Sequence, residues 1–265
     1  MTFDTYGQKA LELVNKGDNL FITGKAGTGK TTLLKEIMSQ LKAKGKYVAV
    51  TAPTGVAAHN ADGVTLHSLL HIPLCVYLPG IKIPGLYSLH QYDIEVVNKL
   101  DVLIIDEISM VRCDLMDAID DILRHYRGTK RPFGGVQMIM IGDLYQLMPV
   151  VTDEDLELLQ SYYKKSFYFF DSKVMGKFDY SVIELQKVYR QDQRSFIRML
   201  NKIRRGIITE RIQEKLNSIY RPRYKGYNKN HIVITTHNWM AKSRNRKRLS
   251  RLKGNLYEFK ASAYD

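Results

Sequence analysis

The sequence predicts an α/β fold in which a parallel sheet is covered by helices. Three observations predict it. Short runs of β-branched and apolar residues alternate with longer stretches of helical period, a glycine-rich turn joins the first such run to the first long helix, and two later strand-like runs lead into carboxylates. Runs that are apolar at nearly every position suit strands buried on both faces.

Leu20-Phe21-Ile22-Thr23 is the first expected strand, residues 30–41 the helix after it, and Tyr47-Val48-Ala49-Val50-Thr51 the second strand. Val102-Leu103-Ile104-Ile105 and Val136-Gln137-Met138-Ile139-Met140-Ile141 are two more. Residues 73–90 carry Pro and Gly repeatedly and read as an irregular insertion. Around residues 171–180 the pattern resets, with a strand at Val182-Ile183-Glu184-Leu185, a long helix from Ser195, a strand at His231-Ile232-Val233-Ile234-Thr235 and a last basic helix. The expected organisation is a first domain over 1–175 and an incomplete second one over 176–265.

Of 265 residues, 45% are hydrophobic and 10% aromatic, which suffices for one large core or two modest ones. Lys plus Arg number 40 against 27 Asp plus Glu, a net +13 that favours a polyanionic partner, nucleic acid first. Neither a long apolar span nor an amphipathic Trp/Lys anchor points to a membrane. Residues 221–253 contain no acid among recurring Lys and Arg, a run that reads equally as DNA contact or as a solvated face. Cys75 and Cys113 form no CxxC pair and have no His at ligand spacing, so a reducing compartment is expected. The N-terminus has no basic start or apolar core of a signal peptide, and the cytoplasm is the expected location.

Gly24-Lys25-Ala26-Gly27-Thr28-Gly29-Lys30-Thr31 matches GxxxxGK[ST] directly after an apolar strand and at a helix start. Glycines let successive N–H groups point into one concavity, and the helix N-terminus adds partial positive charge. This is an ATP-phosphate cradle, with Lys30 reaching the β- and γ-phosphates and the Thr31 hydroxyl ligating Mg²⁺; Thr32 completes the expected ATP-binding set. A Gly-rich turn that merely caps a helix is the bland alternative. Asp106 and Glu107 follow a buried strand, where ligands of an open sheet collect. Asp106 is expected to hold Mg²⁺ and Glu107 to align and deprotonate the attacking water. The run Ile141-Gly142-Asp143-Leu144-Tyr145-Gln146-Leu147-Met148-Pro149-Val150 adds Gln146, placed to touch both that water and the γ-phosphate.

Together these motifs resemble helicases of superfamily one, and within them the RecD-like branch that contains the Pif-type DNA helicases. The resemblance runs from Gln8 onward and implies two RecA-like motor domains, 5′-to-3′ movement, and roles in repair, recombination and telomere maintenance. It implies that Gln8 reads adenine, and that Pro53, Thr54, Gly55, Thr65 and His67 grip single-stranded DNA. The alternative for this last group is a capping turn followed by a core histidine. Residues 115–137, ending Arg131-Pro132-Phe133-Gly134-Gly135-Val136-Gln137, are similar to the segment that sets Pif-type enzymes apart. Val182-Ile183-Glu184-Leu185-Gln186-Lys187-Val188-Tyr189-Arg190-Gln191-Asp192 resembles the motif that opens the second motor domain, with Arg190 as an arginine finger. Met148 departs from the family's usual proline and is expected to alter loop stiffness. The later motifs of the family, including a second arginine finger, are expected beyond the helix near Trp239, so the second motor domain is read as partial.

The expected function is an ATP-dependent DNA helicase or translocase, monomeric, acting on single-stranded and tailed duplex DNA. A DNA-binding module with little turnover is the alternative. A small-molecule phosphotransferase is a third reading, opposed by the Asp106-Glu107 pair and Gln146.

Overall fold

The computed structural model describes residues 3–164, 166–191, 193–222, 232–255 and 257. It contains two compact units, Met1–Ile208 and Thr209–Asp265. The first holds a six-stranded, wholly parallel sheet in the order β3-β2-β4-β5-β1-β6. The strands are β1 Leu20–Gly24, β2 Val48–Ala52, β3 Val64–Thr65, β4 Val102–Ile105, β5 Gln137–Gly142 and β6 Ser181–Leu185. Its helices are α1 Thr5–Lys16, α2 Lys30–Ala43, α3 Gly55–Asn60, α4 Leu66–Leu70, α5 Gln91–Lys99, α6 Cys113–Tyr126, α7 Asp153–Tyr162 and α8 Arg194–Arg204.

Side chains alternate across each strand, and both faces are covered. Leu20 and Ile22 of β1, Val102 and Ile104 of β4, and Ile139 and Ile141 of β5 pack with Ala10 and Val14 of α1 and with Leu33, Leu34 and Ile37 of α2. Phe21, Leu103, Ile105, Met138 and Met140 face the opposite way, onto Met116, Ile119 and Ile122 of α6. A strand apolar at every position is the result of burial on both sides. The α/β expectation therefore holds, with parallel strands between helical layers.

Three expectations change. The strand over 182–185 does not open a second sheet: Ser181–Leu185 pairs with Leu20–Gly24 as the edge strand of the first, and the first unit continues to Ile208 rather than 175. Hydrophobic pattern marks a strand but does not name its neighbour. The helix from Ser195 is two helices, α8 and, after Gly206, α9 Glu210–Ile219. Residues 232–235 form no strand, and His231 lies outside the described residues. Ile232 and Ile234 are among the most exposed apolar side chains, so alternation there buries nothing. The second unit carries α9 and the basic helix α10 Asn238–Leu249.

The 73–90 segment is irregular, yet it is tied down. Tyr77, Leu78, Leu86 and Leu89 are buried, and Tyr77 donates its N–H to Asp114 and its hydroxyl to Asp121, each across 3.0 Å. The 115–137 segment is architectural. The Phe133 N–H donates to Asp120 at 2.6 Å, and the Arg127 guanidinium donates to Gly134 O while also capping carbonyls of Val97, Asn98 and Leu100 at the end of α5.

Candidate nucleotide and DNA site

Strand order decides what meets at the carboxyl edge. β4, β5, β1 and β6 are successive neighbours, so the Asp106-Glu107 turn, the Asp143 loop, the phosphate loop and the segment leading to Arg190 emerge side by side. β2 and β3 lie beyond β4 and bring Pro53, Thr54, Gly55, Thr65 and His67 to the same edge, at its other end.

In the phosphate loop Gly27 and Gly29 hold φ near +82° and +84°, a region that costs a side-chain-bearing residue energy. A Cβ on Gly27 would also stand 2.7 Å from the Arg190 Cβ. The Tyr189 N–H donates to Gly27 O at 2.8 Å, so the Arg190 segment rests directly on the loop, with the Arg190 side chain exposed. Thr28 is buried and donates its hydroxyl to Lys25 O, and Ala26 is exposed at the tip. Lys30 opens α2, its ammonium donating to Gly24 O at 2.7 Å and Lys25 O at 3.2 Å. Burial lowers its pKa, opposed by the carboxylates of Asp143, Glu107 and Asp106. Thr31 and Thr32 are exposed in the first turn of α2.

Asp106 is buried and accepts the Glu107 N–H at 2.9 Å. Burial raises the pKa of both acids, and for Glu107 the neighbouring Asp106 adds to it. Glu107 has φ +50°, an uncommon conformation for a residue with a side chain, of the kind that collects at functional sites. Thr31 and Asp106 together offer hard oxygen donors of the kind that suit Mg²⁺.

Gln146 is exposed and donates its Nε2 to Asp143 Oδ2 at 3.0 Å. Asp143 also accepts the Tyr145 N–H and a fork from Arg204 in α8, Nη2 to Oδ1 at 2.6 Å and Nε to Oδ2 at 3.3 Å. Burial would raise the Asp143 pKa, but the bonds from Arg204, Gln146 and Tyr145 outweigh it and hold it below the ordinary value. Sequence reasoning missed Arg204. It lies 61 residues from its partner, and no local pattern marks it.

The Thr54 and Thr65 hydroxyls are N-caps, accepting N–H groups of Ala57 at 3.3 Å and Ser68 at 3.1 Å. The capping alternative is thus realised in the fold. A capping hydroxyl still has its own hydrogen to donate. Pro53, Thr54 and His67 line one groove of about 320 Å³ with Leu74, Arg112 and Val150. Burial, then Arg112, lowers the His67 pKa. Gln8 sits on α1, exposed, donating to Phe3 O at 3.2 Å. No helix among the described residues is long and apolar enough to cross a membrane.

Known proteins share this fold. Residues 7–214 match the family model described as PIF1-like helicase. The ATP-dependent DNA helicase PIF1 of Emericella nidulans is 36% identical over 217 residues, covering 79% of this chain and 28% of the relative. The crystal structure of Pif1 helicase from Bacteroides in complex with ADP-AlF3 and ssDNA superposes with a TM-score of 0.88 at 38% identity, covering 96% of this chain and 58% of that one. A structure described as DNA unwinding at forked dsDNA by two coordinating Pif1 helicases gives 0.86 at 39% identity, covering 94% and 58%. The chain therefore spans well under two thirds of these proteins. It belongs to the PIF1-like helicase family.

Proposed function

We propose that this chain binds ATP·Mg²⁺ and hydrolyses it under stimulation by single-stranded DNA, as the leading part of an ATP-dependent 5′-to-3′ DNA helicase. The observation that carries the reading is the convergence on Lys30 of Asp106, Glu107 and Asp143 from two neighbouring strand ends. The loop amides and Lys30 bind the phosphates, Glu107 takes a proton from the attacking water, and Gln146 orients it. Bound by Thr31 and Asp106, Mg²⁺ would neutralise charge developing on the β- and γ-phosphates. Gln8 reads the adenine and Arg190 approaches the γ-phosphate from the far side. Pro53, Thr54, Gly55, Thr65 and His67 hold the strand mainly through phosphates.

Residues beyond Ile208 are read as the start of a second motor domain. The substrates are single-stranded and tailed duplex DNA, with the chain acting as a monomer in the cytoplasm, a location that its two free cysteines suit. Phosphate release with and without single-stranded DNA tests the proposal. Strong stimulation supports it, nucleotide and DNA binding without turnover supports a DNA-binding module, and turnover indifferent to DNA overturns it in favour of a phosphotransferase.

A further inference from the structure

Among the described residues, Arg204 of α8 and Asp143 form an ion pair, largely shielded from solvent, beside the proposed nucleotide site. The Arg204 side chain is 18% exposed and the Asp143 side chain 1%. The guanidinium fork binds both carboxylate oxygens, and the guanidinium carbon lies 4.2 Å from the Tyr145 ring centroid. Asp143 Oδ2 then has two donors, the Gln146 carboxamide and Arg204 Nε, while Oδ1 takes Arg204 Nη2 and the Tyr145 N–H. Gln146 itself is exposed, so this carboxylate supplies the hydrogen bond that orients its amide. A bidentate arginine fixes a carboxylate in plane as well as neutralising it, which a lysine does not.

Resting on the functional reading above, we propose that Arg204 is a positioning residue for ATP hydrolysis, holding Asp143 in the one orientation that aims the Gln146 amide at the reaction centre. Arg204 is the last residue of α8, so the position of this helix and the aim of Gln146 are mechanically one variable. Movement of α8 would release Asp143 and free Gln146, giving turnover a dependence on the position of that helix.

Among the described residues, Arg204 from α8, Lys30 from α2 and Glu107 from the end of β4 act on Asp143, and Lys25, Glu184, Arg198, Lys202 and Arg205 line the cavity beside its loop. With Arg204 gone its two hydrogen bonds and its charge are lost, burial dominates, and the Asp143 carboxyl moves upward from its lowered value. A protonated Asp143 is a poorer acceptor for Gln146.

The test compares Arg204→Met, Arg204→Lys and Asp143→Asn with the unaltered 265-residue protein. A first readout is independent of activity. The Gln146 side-chain amide pair in ¹H–¹⁵N spectra, assigned by its loss in Gln146→Ala, is expected at a shifted position in the unaltered protein and at the free-amide position in Arg204→Met and Asp143→Asn. The second readout is steady-state ATPase with single-stranded DNA. A catalytic group displaced by about 1 Å forfeits on the order of 10²-fold. Arg204→Met leaves Asp143 buried without its cation and should lower the urea midpoint, and it is expected to lower kcat of the folded fraction about tenfold to a hundredfold with KM for ATP little changed. Its acid limb should move to higher pH, and Arg204→Lys should recover only part of kcat. A Gln146 amide unmoved in Arg204→Met overturns the proposal, as does a fall in urea midpoint that alone accounts for lost activity. If the unaltered protein shows no ATPase, the functional reading fails, and the amide shift still decides whether Arg204 positions Gln146.

Discussion

The N–H of Asp106 donates to the carbonyl of Thr51 across 2.8 Å, so the strand leading to the proposed metal-binding carboxylate and the strand leading to Pro53-Thr54 end locked together. The proposed nucleotide and DNA ends of the sheet thus meet where β2 and β4 finish their pairing. Thr54 and Thr65 cap helices and are proposed to contact DNA, two roles that substitution tests. Thr54→Ala and Thr65→Ala each lose a cap worth about 1 kcal/mol as well as a phosphate donor. Serine keeps both. Urea melts should show the alanine loss and serine rescue. Single-strand affinity should follow the same order and fall with salt at a slope of about −0.7 per phosphate contact. Salt-independent binding would contradict the assignment.

Lys30→Ala is expected to abolish binding of an ATP analogue, whereas Glu107→Gln keeps binding and removes turnover. In the proposed mechanism one residue holds phosphate and the other takes a proton from water. Fluorescence titration with a labelled ATP and a phosphate-release assay distinguish them; equal loss of binding in both variants would sink the division of roles.

Gly27→Ala places a methyl group against Arg190 at a positive φ, a combination costing about 1–3 kcal/mol and displacing the Tyr189 contact. Arg190→Ala leaves the loop intact but removes the cation. An arginine finger is worth about 10³–10⁵ in rate, so even a partly placed one should cost about tenfold in kcat. Gly27→Ala should therefore weaken nucleotide binding, and Arg190→Ala turnover alone, as read by KM and kcat.

His67 ionises in the folded protein below its ordinary 6.5, because burial and then Arg112 disfavour the charged ring. The unfolded chain binds that proton more readily, so stability present above about pH 6.5 is lost as the pH falls below it. In urea melts between pH 7.5 and 5.5, His67→Gln should lose less stability than the unaltered protein. An identical pH slope in both would remove His67 from the account.

Strand displacement on a 5′-tailed duplex is expected to fail with these 265 residues. Motors of this kind move as ATP closes a cleft between two domains, and the chain spans 58% of the Bacteroides neighbour. Robust ATP-dependent unwinding would show that less machinery suffices.

The sequence by itself determined the phosphate loop, the Asp106-Glu107 turn and the α/β class. Each depends on neighbours in the chain: glycines at fixed offsets, an apolar run ending in acids, and strands apolar at every position. It also marked Asp143 and Gln146 as a strand-end motif, without their hydrogen bond. Tertiary structure alone decided three things. It put Ser181–Leu185 beside Leu20–Gly24, because an edge strand joins whichever sheet offers free backbone groups, and pattern does not encode the partner. It left residues 232–235 out of any sheet despite their β-branched run, since such a run forms a strand only where something pairs with it. It brought Arg204 onto Asp143 across 61 residues, a contact fixed by where α8 packs and by the cost of burying a carboxylate without a cation.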